Sequence, residues 1–104
     1  MDPLTHPKLG TSLVLMEAEA MRQRDLDKYM AAMREPKLGE SAPETDHKIV
    51  FAGLRSGVVK EARVSDRPEP LTAADVADLA PARVRWFARK INALYVQAVF
   101  VPPE

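Results

Sequence analysis

The sequence predicts an all-α fold, a small single domain of three to four helices. Three observations carry that prediction. Residues 81–99 hold an apolar stripe at helical spacing, formed by Val84, Phe87, Ala88, Ile91, Leu94, Tyr95 and Ala98. Residues 16–34 are built mostly from Ala, Glu, Met, Arg, Gln, Leu and Lys, which favour helix. The 9 prolines in 104 residues cut the chain into pieces of about helix length. Only 13–16 and 58–64 leave room for a minor β element. They are short apolar runs whose periodicity does not separate strand from helix.

Residues 1–12 read as a flexible lead, because Pro3, Pro7 and Gly10 oppose regular structure. The single helical domain then covers 13–101, and 102–104 form a tail. In the first helix Leu26, Tyr29, Met30 and Met33 make one apolar stripe, and Pro36 ends it. Segment 36–45 is polar and reads as a mobile linker. Thr45 or Asp46 is placed to cap a second helix through its side-chain oxygen. That helix runs to about Ser56 and buries Ile49, Val50 and Leu54. Gly57 suits the left-handed residue that follows a last helical turn. Arg67-Pro68-Glu69-Pro70 breaks the chain again. Thr72 with Asp75 resembles a capping box and opens a short third helix over 73–79. Pro81 fits the first turn of a fourth helix, where its missing N–H costs nothing. That helix extends about 28 Å, to Val99, and Pro102-Pro103 close it.

The totals bound the function. The 15 basic and 15 acidic side chains cancel, which argues against a dedicated nucleic-acid binder. With no Cys there is neither a disulfide nor a thiolate site. No apolar run reaches membrane-spanning length, so no membrane partner is expected. The N-terminus has neither a basic start nor an apolar signal region, so an unprocessed cytoplasmic protein is expected.

No residue pattern calls for catalysis. His6 and His47 have no second ligand at helical spacing, and a metal site usually needs three or four. The carboxylate pairs Asp25/Asp27, Asp75/Asp78 and Glu17/Glu19 lack the apolar pocket that splits two acids into acid and base. Asp75 is more economically a helix-start charge. The serines have no nucleophile elbow and the scattered glycines no phosphate loop. The expectation is a protein with no enzymatic activity, cofactor or metal.

Arg83, Arg85, Arg89 and Lys90 form the only local basic cluster. It reads first as a solvated face with arginine stems over apolar neighbours. The alternative is a small helical nucleic-acid-binding regulator. Trp86 points about 140° away from Ile91 at the usual helical rotation, on the side of Lys90, Ala93 and Gln97. It is either a second packing partner within the fold or a partly exposed anchor for another protein. The methionines pose a similar choice between core and an adaptable binding surface.

The C-terminal stretch resembles the tail assembly chaperones of long-tailed bacteriophages and prophages. The matching residues are Asp75 and Asp78, then Pro81, Val84 and Trp86, then Ile91, Leu94 and Tyr95, then Val101-Pro102-Pro103. Gln23-Arg24-Asp25-Leu26 followed by Tyr29 is similar to the start of the first helix in that family. The chain departs from the pattern at Gly57, which is followed by Val58 where the family has Trp. The resemblance implies a non-enzymatic, mostly helical protein of the host cytoplasm. It would coat the tape-measure protein and recruit tail-tube subunits during virion tail assembly, with room for self-association. Its expected protein-binding residues are Trp86, Tyr29, Met30 and Met33.

Overall fold

The computed structural model describes residues 3–35 and 44–100. The fold is mixed α/β, not all-α. A three-stranded antiparallel sheet, in the order β1-β2-β3, is formed by β1 (Leu4–His6), β2 (Thr11–Leu15) and β3 (Val59–Val64). The described helices are α1 (Gln23–Met33), α2 (Glu44–Ser56) and α3 (Pro81–Phe100), with short 3-10 turns at Ala18–Ala20 and Ala73–Asp78. The expected lead 1–12 is therefore corrected, since β1 and the start of β2 lie within it. Most of the expected linker, 36–43, and the tail 102–104 fall outside the described residues.

The sheet forms where the chain alternates. Thr11, Leu13 and Leu15 are buried, while Ser12 and Val14 between them are half-buried. That is the period of a strand with one covered face. Leu4 pairs with Leu13, and His6 with Thr11, which puts Leu4 and His6 on the covered face as well. Pro3 and Pro7 bracket this edge strand, a position where a missing N–H is tolerated. Gly10 closes the hairpin at φ 65°, a left-handed backbone that suits glycine. A Cβ there would also collide with the Ser65 hydroxyl.

In β3 the register jumps: Val14 faces Glu61, but Leu15 faces Val59. Lys60 is the extra residue of a β-bulge. The bulge lets both Val59 and Ala62 turn inward, three residues apart, with 5% and 1% exposure.

The expected helix from Met16 does not form as one piece. Met21 and Arg22 are extended, and the Asp25 carboxylate accepts the Arg22 N–H at 2.9 Å. That side-chain bond competes with continued helix and starts α1 at Gln23. The second helix ends at Ser56 followed by Gly57 at φ 87°, as its sequence indicates. Thr45 and Asp46, expected as caps, lie inside it. The segment 73–79, expected as a helix, is a 3-10 turn over Ala73–Asp78 with Leu79 extended after it. Asp75 accepts both the Thr72 N–H (2.8 Å) and its hydroxyl (3.0 Å).

Helix α2 packs against α1, α3, the second 3-10 turn and β3, while α3 packs against β2 and the first 3-10 turn. The core lies between the sheet and these helices. Its largest fully buried side chains are Phe87, Leu13, Ile91, Val50 and Val76. The stripe on α3 faces it through Val84, Phe87, Ala88, Ile91 and Leu94, all buried.

Candidate functional site

The flank of α3 beyond its core stripe leaves a groove. Its floor is Leu13 and Leu15, and Leu4 forms a lip that remains 42% exposed. One wall is the chain entering the first 3-10 turn, with Glu17, Ala18 and Glu19. The other is α3, with Lys90, Ala93, Leu94 and Gln97. The volume is about 510 Å³ and the groove is open to solvent. Its position follows from β1. A three-residue edge strand is too short to cover the whole of α3, so the apolar floor continues past the strand's end.

Trp86 lies one helical turn before Lys90. It is half-buried. Its ring meets His6 edge-on, with centroids 6.2 Å apart at 89°, and Phe87 at 5.3 Å and 70°. The Lys90 ammonium sits 5.8 Å from the indole centroid, a cation–π contact. His6 is oriented in turn by the Leu9 N–H, which donates to its Nδ1 at 3.3 Å. Trp86 thus packs within the fold on one side and borders the groove through Lys90 on the other.

The other expected protein-binding residues separate. Tyr29 is a core residue, 4% exposed, with its ring 5.5 Å from that of Tyr95. It presents no surface to a partner, which corrects the expectation. Burial, then the neighbouring Tyr95, pushes its hydroxyl up to about 12. Met33 packs half-buried against the core, and Met30 is 41% exposed. Neither lines the groove.

The basic cluster also divides. Arg83 donates from Nε to the Leu9 carbonyl at 2.9 Å and from Nη1 to Asp66 at 2.7 Å. It ties the β1–β2 loop and the end of β3 to α3, and is not free for a phosphate. Arg85 and Arg89 are exposed. Asp66 is held below the usual carboxylate range, first by the Arg83 hydrogen bond and then by a backbone N–H. Asp75 is held low by the Thr72 backbone and hydroxyl bonds and by Arg67, whose guanidinium lies 2.9 Å away. These carboxylates are structural acceptors.

Among the described residues, no three His, Asp or Glu side chains are placed to hold a metal ion. Nor is any described helix long and apolar enough to cross a membrane. The groove has no continuous signal in the sequence. Leu4 and His6 alternate between two prolines, a faint strand signal, while Glu17, Glu19 and Ala93 are brought together only by the fold. The chain matches no family model, no curated protein and no solved structure.

Proposed function

We propose that this chain is a non-enzymatic tail assembly chaperone of a long-tailed phage or prophage. In this reading it binds the tape-measure protein and tail-tube subunits in the host cytoplasm while the tail is built. The observation that carries the reading is the open apolar groove along α3. That helix bears the Pro81, Val84, Trp86, Ile91, Leu94 and Tyr95 pattern on which the family resemblance rests. A groove with an apolar floor and a charged rim suits an amphipathic segment of another protein. Exposed Val96 and Val99 on the same helix, at 44% and 41%, add apolar surface for further contacts.

The test is co-expression with the tape-measure and tail-tube proteins of a long-tailed phage or prophage that carries this chain. The expected result is a soluble complex that co-elutes on size exclusion, and a tape-measure protein that precipitates when the chain is omitted. A tape-measure protein equally soluble with and without the chain, and no co-elution, sinks the proposal.

A further inference from the structure

We propose that two copies of this chain pair through the solvent side of α3, antiparallel about a two-fold axis at Val96. The pairing stands whether or not the chain serves as a tail chaperone.

Helix α3 is apolar on two sides in its second half. Ile91 and Leu94 are buried in the core. On the other side Val96 and Val99 are 44% and 41% exposed, and among the described residues only Leu4 and Met30 are large apolar side chains as open as these. Arg89, Asn92, Ala93, Val96 and Val99 are all exposed, and at the usual helical rotation they fall within about 120°. Their spacing of i, i+3, i+4, i+7 and i+10 is that of a stripe facing another helix. No Asp, Glu, Lys or Arg occurs from Ile91 to Phe100. A solvated helix face ordinarily carries such residues, so this half of α3 has the composition of a covered surface.

Charge says what covers it. α3 holds Arg83, Arg85, Arg89 and Lys90 in its first half and no acidic residue along its length. A parallel pair of copies would set these cations side by side, and like charges disfavour docking. An antiparallel pair sends them to opposite ends and lays the two uncharged halves together. With the axis at Val96, that valine meets its own counterpart. Ala93 comes level with Val99 of the second copy, a small residue beside a larger one. Arg89 comes level with the end of the second copy's α3. A helix end carries orphan carbonyls and the negative pole of the dipole, and the last turn of α3 has no basic side chain of its own. Each copy therefore supplies the cation and the acceptor that the other needs, which is what a two-fold contact requires. The zero net charge of the chain adds no overall repulsion between copies.

The test is sedimentation equilibrium of the full chain over a concentration series. The mass is expected to climb from 11.6 kDa toward that of a dimer. So short a contact belongs with transient interfaces, and half-association is expected below about 1 mM. Val96→Glu and Val96→Lys should each weaken pairing at least about tenfold, by setting like charges across the axis. Mixing those two variants should restore it. Arg89→Gln should weaken pairing about threefold or more. The chain has no cysteine, so Arg85→Cys accepts a single nitroxide label. Two such labels should stand roughly 30–40 Å apart in the antiparallel pair, from the helical rise on either side of Val96. In a parallel pair they would stand about one helix spacing apart, roughly 10 Å. Positions 85, 89 and 96 are all exposed, and circular dichroism checks that each variant keeps the fold.

A mass that stays at 11.6 kDa up to about 1 mM overturns the proposal. So does pairing that survives Val96→Glu, or a mixture of the two charged variants that stays monomeric. Unchanged or tighter pairing in Arg89→Gln, or labels at the short distance, overturns the antiparallel arrangement.

Discussion

Arg83 joins three parts of the chain that are distant in sequence. Its side chain is 19% exposed, while that of Asp66 is 68% exposed. The two acceptors therefore differ in weight. The bond to the Leu9 carbonyl is shielded and charge-assisted, whereas the bond to Asp66 competes with water. Arg83→Met keeps the apolar stem and removes both bonds. We expect a loss of about 1–3 kcal/mol, seen as a lower urea midpoint. Asp66→Asn should lower the midpoint by less, and the opposite ranking would show that the exposed pair dominates. Trp86 presents the complementary case. Trp86→Ala removes contacts with His6 and Phe87, so some stability is lost. The groove end is lost with it. Capture of the tape-measure protein should fall more than the fraction folded, and equal falls would leave Trp86 a packing residue only. The partners of Arg83 and the His6 contact of Trp86 were not legible in the sequence, whereas helical spacing already put Lys90 on the side of Trp86. Leu9 stands 74 residues from Arg83, and no local pattern encodes such a meeting.

At the scale of elements, legibility followed periodicity. Helix α3 was readable because its stripe persists over many residues and Pro81 marks its start. The end of α2 was readable because Gly57 alone supplies the left-handed backbone. The strand pair at 13–16 and 58–64 was only an option, and it forms as β2 and β3. The bulge at Lys60 explains the ambiguity: it spaces Val59 and Ala62 by three, the spacing of a helix face. β1 was hidden by its prolines. The groove was illegible for the same reason, since its floor exists only once the sheet does. Gly53 shows how closely these elements approach. A Cβ there would lie 2.9 Å from Val59 Cγ2 and 3.0 Å from Ile91 Cδ1. Alanine would favour the helix by about 1 kcal/mol. Overpacking against two stiff, buried side chains costs about 1–3 kcal/mol and should win. Gly53→Ala is expected to destabilise in urea, and Gly53→Leu more so. Adding Val59→Ala should lessen the cost of Gly53→Ala in a double-mutant cycle. Strict additivity would mean that Val59 is not the obstacle.

For the whole molecule, balanced charge leaves particular groups to set the pH range of stability. At the acid side these include Asp66 and Asp75, both held below the ordinary 3.8. Their contribution is complete above 3.8 and disappears as pH falls through their folded values. Replacing both by Asn should flatten that part of the acid limb. At the alkaline side Tyr29 acts in the opposite sense. Its hydroxyl rises from 10.0 to about 12 on folding, because burial, and then Tyr95, disfavours the phenolate. The unfolded chain therefore releases the proton first. The protonated form gives its full benefit below pH 10.0, and the benefit drains away as pH climbs to about 12. Tyr29→Phe keeps the ring against Tyr95 and removes the ionisation. Its urea midpoint should fall less steeply than that of the unmodified chain between pH 10.0 and about 12. Identical slopes would place the alkaline sensitivity elsewhere. Since Tyr29 packs α1 toward α3, the same titration followed by Trp86 fluorescence tells whether the groove side opens with that packing. A Trp86 signal that changes before the far-ultraviolet circular dichroism would mean that the α3 flank loosens ahead of global unfolding.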